Sequence, residues 1–275
     1  MLHIFRQLSF IFLALILVAE QPANSVFAAS AKSETGEDKP FKASADVMAD
    51  IDAVLAKAKS AGKLGMVVMG ANWCHDSRAF VRHLKSAEMQ PVLANSYEVI
   101  LVDVGPLSKV RDVITRFGMP VIYGTPTVLV VDPDSQQQLN RHDMHQWRNA
   151  YSISHEDTAD HFRKMANAEQ RGAPASVHGD TAKAAFAQID AFENQQAERI
   201  YKGFDLIGPM IVKERDERPD NFEALWNELR DFRYQITEDL KALRDNVRAA
   251  EAAGNSEISL NYPIYERFSW EKTAE

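Results

Sequence analysis

Residues 66–80 read MVVMGANWCHDSRAF. Their first six residues belong to a longer continuous apolar run, LGMVVMGA (64–71), of strand length. Beyond it Phe80, Val81 and Leu84 recur at helical spacing as far as about Ser86. Cys74 therefore stands where a strand hands over to a helix. It is the only cysteine in the chain, and Ser77 follows it three positions on.

The same alternation continues on both sides. Val47, Ile51, Val54, Leu55 and Ala58 predict a helix that Gly62 closes. YEVILVDVG (97–105) reads as a strand, Val110, Val113, Ile114 and Phe117 as a helix closed by Gly118, and TPTVLVVD (125–132) as a strand followed by the turn DPDS. QQLNRH (137–142) predicts a weaker edge strand. SHEDTADHFRKMANA (154–168) predicts a helix, because Ser154 is a cap-like residue with Asp157 three positions later. Residues 46–170 are thus expected to form an α/β domain with helices on both faces of a sheet.

The character changes after RGAPASVHGD (171–180), which reads as a linker. Phe186, Ile189, Phe192 and Ile200 mark a helix over 181–202, with a break expected at Gly203 or at Gly208-Pro209. From Asp220 to Ala253 the apolar positions Phe222, Leu225, Leu229, Phe232, Ile236, Leu240, Leu243 and Val247 are separated by threes and fours, and Gly254 ends the pattern. Residues 176–253 are therefore expected to form an antiparallel helical hairpin, followed by a C-terminal tail over 254–275. Such a hairpin either fills a core against itself and the α/β domain, or serves for oligomerisation or partner docking.

At the other end, Arg6 precedes LSFIFLALILVA (8–19), which is short for a membrane span but suits a secretory signal, and SVFAASA (25–31) supplies small residues for cleavage. A signal peptide over 1–29, a flexible leader over 30–45 and a secreted or periplasmic location are expected, with no stable membrane span after cleavage. An uncleaved anchor is the alternative reading of the same run. The chain has a net charge of −8, and no basic stripe interrupts this acidic balance, so a nucleic-acid partner is not expected. A single cysteine excludes an intramolecular disulfide, and in an oxidising compartment it flags reactivity or intermolecular pairing.

At a helix start, exposed N–H groups and the helix dipole favour a thiolate on Cys74, and a protonated His75 would help. Asp76 acts in the opposite direction, so the net effect is open. The segment MVVMGANWCHDSRAF resembles the active-site segment of the thioredoxin superfamily, a strand, then Trp-Cys-x-x-Cys, then a helix. GTPTVLVVDPDS (124–135) resembles that family's cis-proline loop and next strand. The likeness covers residues 46 to about 170 and leaves the C-terminal helices outside. It implies a thioredoxin-like three-layer fold with an α-helical extension. It also implies a nucleophilic Cys74, tuned by Ser77 and His75 and shielded by Trp73, with Thr125 and the cis-proline Pro126 holding an extended protein substrate.

Two departures limit the carry-over. Ser77 occupies the position of the resolving cysteine, and Val68 stands where many thioredoxins place a buried acid. A dithiol cycle within the chain is excluded. Monothiol exchange or isomerisation through a mixed disulfide remains, with protein disulfides or thiols as substrates and a second thiol, from the substrate, a small molecule or a partner, as the releasing group. Ser77 is expected to hydrogen-bond the Cys74 sulfur. The competing expectation is a non-catalytic binding or chaperone module that keeps the substrate groove. No cofactor and no metal are expected: His142 and His145 in HDMH (142–145) read as solvated loop residues, Trp147 as packing and Arg148 as surface.

Overall fold

A computed structural model describes residues 39–107, 111–172 and 174–272. The expected signal peptide, residues 30–38 of the leader and Val110 lie outside the described residues. Three strands, β1 (Leu64–Gly70), β2 (Tyr97–Asp103) and β3 (Thr127–Val131), form one sheet in the order β2-β1-β3. β1 runs parallel to β2, with Val67 opposite Ile100, and antiparallel to β3, with Val67 opposite Leu129. The central strand is apolar almost throughout because it is covered on both faces.

The pleat assigns side chains to the two faces by turns. Val67, Met69, Val102, Leu129 and Val131 join the core shared with α1 (Val47–Ser60), α4 (Arg111–Arg116), α6 (Asp180–Ile211) and α7 (Phe222–Ala252). Met66, Val68, Val128 and Val130, also fully buried, belong to the other set. There α2 (His75–Leu84), α3 (Gln90–Ser96), α5 (His155–Ala166) and a 3-10 segment (Met144–Ser152) pack together. Phe80 of α2, Trp147 and Phe162 of α5 meet there with ring centroids 4.9–5.9 Å apart. The result is a mixed helix-and-sheet body with helices on both sides of the sheet.

α6 and α7 lie antiparallel. The backbone N–H groups of His178 and Gly179, before α6, bond to Glu251 at the end of α7, Arg244 pairs with Asp190, and Gly203 faces Leu229. Ile200, Phe204, Ile207, Leu229 and Ile236 enter the same core as the sheet, each burial contributing about 1.5–3 kcal/mol. Along the far side, Phe268, just before the short α8 (Ser269–Lys272), packs on Phe232, and Glu271 pairs with Arg199.

Three local expectations need correction. α6 does not break at Gly203 or Gly208-Pro209. Both glycines are sites of close approach: a Cβ on Gly203 would come within 2.8 Å of Leu229, and one on Gly208 would collide with the Pro106 carbonyl. Pro209 sits in the last turn of α6, where its ring nitrogen has no N–H to offer the Asp205 carbonyl, and the helix ends two residues later. QQLNRH forms no strand beyond one Val131–Gln138 bridge. Instead the Asn140 side chain accepts from Val130 N–H and donates to the Val128 carbonyl, both at 2.9 Å, supplying partners to the β3 edge. Within residues 39–45, read as the end of a flexible leader, Phe41 is anchored: it is 2% exposed and its backbone exchanges two hydrogen bonds with the Asn72 side chain, while residues 42–45 are exposed.

Candidate active site

Cys74 is the N-cap of α2, with extended backbone at φ −88° and ψ 121°. At this position the first N–H groups of the helix lack intrahelical partners and point toward the side chain. The Ser77 N–H donates to the sulfur at 3.5 Å, and the thiol donates to the Thr125 carbonyl at 3.2 Å. The Thr125–Pro126 peptide bond is cis. Strand β1 delivers the cysteine, and the loop entering β3 delivers its carbonyl partner, so the two motifs separated by about fifty residues meet at one sulfur.

Ser77 acts there through its backbone. Its side chain is 0% exposed, and its hydroxyl has no hydrogen-bond partner, so the expected hydroxyl-to-sulfur bond is not formed. The Oγ instead lies toward Gly70, where an added Cβ would be 2.9 Å away. His75 is exposed and carries its imidazole away to Asp76, 3.1 Å off, and to the Tyr151 ring. Asp76 also accepts the Tyr151 N–H at 3.0 Å, which fixes the start of α2 against the 3-10 segment. Trp73 donates from Nε1 to the Gly105 carbonyl at 2.8 Å and meets the Trp226 ring of α7 edge-on at 6.3 Å.

The hairpin gives the sulfur a roof. A cleft of about 440 Å³ opens beside Cys74 between Trp73, Thr125, Phe222, Trp226, Arg233 and Tyr234. Arg233 is 3% exposed; its Nε donates to the Leu229 carbonyl, and its guanidinium lies over Phe204 and Trp226. Burial lowers its pKa to about 10, which still leaves it cationic at neutral pH. Arg148, expected at the surface, is half-buried in the same cleft. It donates to the His145 carbonyl and Thr237 and lies over Tyr234, and Gly124 makes room for its stem. Burial pulls its pKa down as well.

Sequence reasoning missed Arg233 although a signal was present. It stands four residues after Leu229 and three before Ile236, on the buried stripe of α7, where a cation needs a reason. The histidines also differ from expectation. His145 is desolvated against Tyr123 rather than solvated, and burial takes its pKa to about 3. His142 and His161 flank Asp143, at 3.6 and 3.7 Å. Among the described residues no group of three or more His, Cys, Asp or Glu side chains is arranged to hold a metal.

Comparison with protein-family models finds no match, and comparison with curated proteins finds none either. Among solved structures the chain is similar to a disulphide isomerase from Xylella fastidiosa Temecula1. The two are 28% identical, the likeness covers 48% of this chain and 100% of that one, and the TM-score is 0.45.

Proposed function

We propose that this protein is an exported thioredoxin-like exchange protein that uses Cys74 as its single nucleophile toward protein disulfides. The observation that carries this reading is the Cys74 sulfur at a helix start, between the Ser77 N–H and the Thr125 carbonyl, at the edge of an open cleft. The Ser77 N–H and the cationic lining of the cleft offer a sulfur anion partners, and removal of the thiol proton frees the Thr125 carbonyl for a substrate N–H. The apolar run of residues 8–19 supports export, and among the described residues no helix is long and apolar enough to cross a membrane.

The thiolate attacks one sulfur of a substrate disulfide. A Cys74–substrate disulfide forms, the old S–S bond breaks, and the other substrate sulfur leaves as a thiolate. With Ser77 where a second thiol would stand, release requires an external thiolate. If that is the substrate's own, the disulfide is moved and no net oxidation or reduction occurs. If two equivalents of a small thiol act in turn, the substrate disulfide is reduced and the small thiol is oxidised to its disulfide. Trp73, His75, Thr125 and Pro126 frame the approach of the substrate.

The test is recovery of activity by a protein refolded with scrambled disulfides, in a buffered small-thiol pair. The wild type is expected to accelerate recovery, and Cys74→Ser is expected to return it to the uncatalysed rate. Equal acceleration by both would leave the groove acting without the thiol, as a binding module.

A further inference from the structure

The chain as a whole is acidic, yet the Cys74 cleft is cationic. Among the described residues Arg148, Arg218, Arg230 and Arg233 line it against two carboxylates, Asp76 and Glu223. Arg230 is occupied by Asp231 at 2.8 Å. Arg148 and Arg218 bond to backbone carbonyls and a hydroxyl, and among the described residues neither they nor Arg233 forms an ion pair. A guanidinium carries five N–H donors in a planar fork suited to carboxylates, and Arg233 uses one of them on the Leu229 carbonyl. A buried charge without a counter-charge is expensive, so a cation kept at the wall of an open cleft points to an anion that arrives there.

The Cys74 thiolate is one such anion, but exchange removes it: once the sulfur enters a mixed disulfide it carries no charge. The cleft volume, about 440 Å³, matches a small molecule. Resting on the exchange reading above, we propose that the cleft binds a low-molecular-weight thiol bearing carboxylate groups, or its disulfide, and that this compound supplies the releasing thiol. Its carboxylate pairs with Arg233 and Arg148 while its sulfur meets Cys74. With the disulfide as reactant, the Cys74 thiolate displaces one small thiolate and forms a mixed disulfide. A second small thiolate reverses this step, regenerating the disulfide and the Cys74 thiolate, so atoms and electrons balance in each direction.

The experiment follows mixed-disulfide formation on the full chain by intact mass at low salt. It uses three probes: oxidised glutathione, which is net anionic, uncharged hydroxyethyl disulfide and dicationic cystamine. Each rate is divided by the rate of the same probe with the urea-unfolded chain, which removes the probe's intrinsic reactivity. The folded protein is expected to favour oxidised glutathione over hydroxyethyl disulfide by about tenfold, the equivalent of one charge-assisted hydrogen bond, with cystamine slowest and added salt eroding the preference. Arg233→Met is expected to remove most of that preference. Arg148→Gln, at a less buried position, is expected to reduce it even if Arg233→Met folds poorly. Equal normalised rates for the three probes, or a preference that neither variant changes, would overturn the anion site. If no probe modifies Cys74 in the folded chain while all modify the unfolded one, the exchange reading itself fails.

Discussion

Arg233 and Arg244 lie on the same helix, eleven positions or about three turns apart, and both are largely buried. Arg244 meets Asp190 and the buried Glu193, which also binds Arg141 at 2.8 Å and accepts the Tyr123 hydroxyl proton at 2.8 Å. Burial alone would lower the Arg244 pKa, but Glu193 and Asp190 more than offset it and raise it. At Arg233 no carboxylate among the described residues answers, and the pKa falls. The same side chain, on one face of one helix, is a structural lock where α7 meets α6 and the 137–148 segment. Beside Cys74 it is an unmatched charge. Completed ion networks hold the hairpin in place; the incomplete one marks where chemistry is expected.

The sharpest way to break this contrast is to remove the anion of the lock. Glu193→Gln leaves Arg141 and Arg244 without their shared carboxylate, and urea unfolding is expected to show a loss of about 3–5 kcal/mol. By contrast Arg233→Met, which removes a desolvated charge and keeps the volume, is expected to be neutral or to gain about 1 kcal/mol in the same assay. A large loss for both would mean that the two arginines do the same structural work.

Acid sharpens the comparison further. For Glu193 burial raises the pKa, but Arg141, Arg244 and the Tyr123 hydroxyl outweigh it, so the folded value lies below 4.5. His145 and His161 are pulled by burial from 6.5 to about 3 and about 4. In each case the unfolded chain binds the proton more readily, so stability falls as pH falls. The histidine contribution is expected to be lost progressively below pH 6.5, and that of Glu193 below pH 4.5. His145→Gln is expected to flatten the slope of melting temperature against pH above pH 4.5, and an unchanged slope would place the titrating group elsewhere.

The smallest effect concerns Ser77. Its hydroxyl is buried without a partner, so Ser77→Ala is expected to change stability by less than about 1 kcal/mol, and in the stabilising direction. It should also leave the backbone N–H bond to the sulfur in place, so the Cys74 alkylation rate is expected to stay close to that of the wild type.

Much of the α/β arrangement was legible because period-two and period-3.6 patterns have local causes. LGMVVMGA and TPTVLVVD are strands because both of their faces are covered, and Cys74 falls at a helix start because Trp73-Cys74 ends the one pattern and Phe80 continues the other. The departures all depend on contacts distant in sequence. Gly203 and Gly208 read as breaks until Leu229 and Pro106 are seen against them. The 137–142 segment looks strand-like, but its ladder stops after the Val131–Gln138 bridge, where the Asn140 side chain takes over. At the site, Cys74, Thr125 and Pro126 could be read from two motifs. Arg233 enters it only because the hairpin docks over the cleft, and the sole local hint was a cation on an apolar stripe; Arg148 reaches it from the 3-10 segment, its stem on Gly124 and its head on Thr237 and Tyr234.

The most direct measurement traps the covalent intermediate where the protein works. Cells are quenched in acid, free thiols are alkylated, and wild type is compared with Cys74→Ala on non-reducing gels. With no second thiol in the chain to resolve the intermediate, reductant-sensitive adducts are expected in the wild type and absent from the variant. A Cys74 found wholly free and alkylated in the wild type, with no adduct in either protein, would contradict thiol exchange.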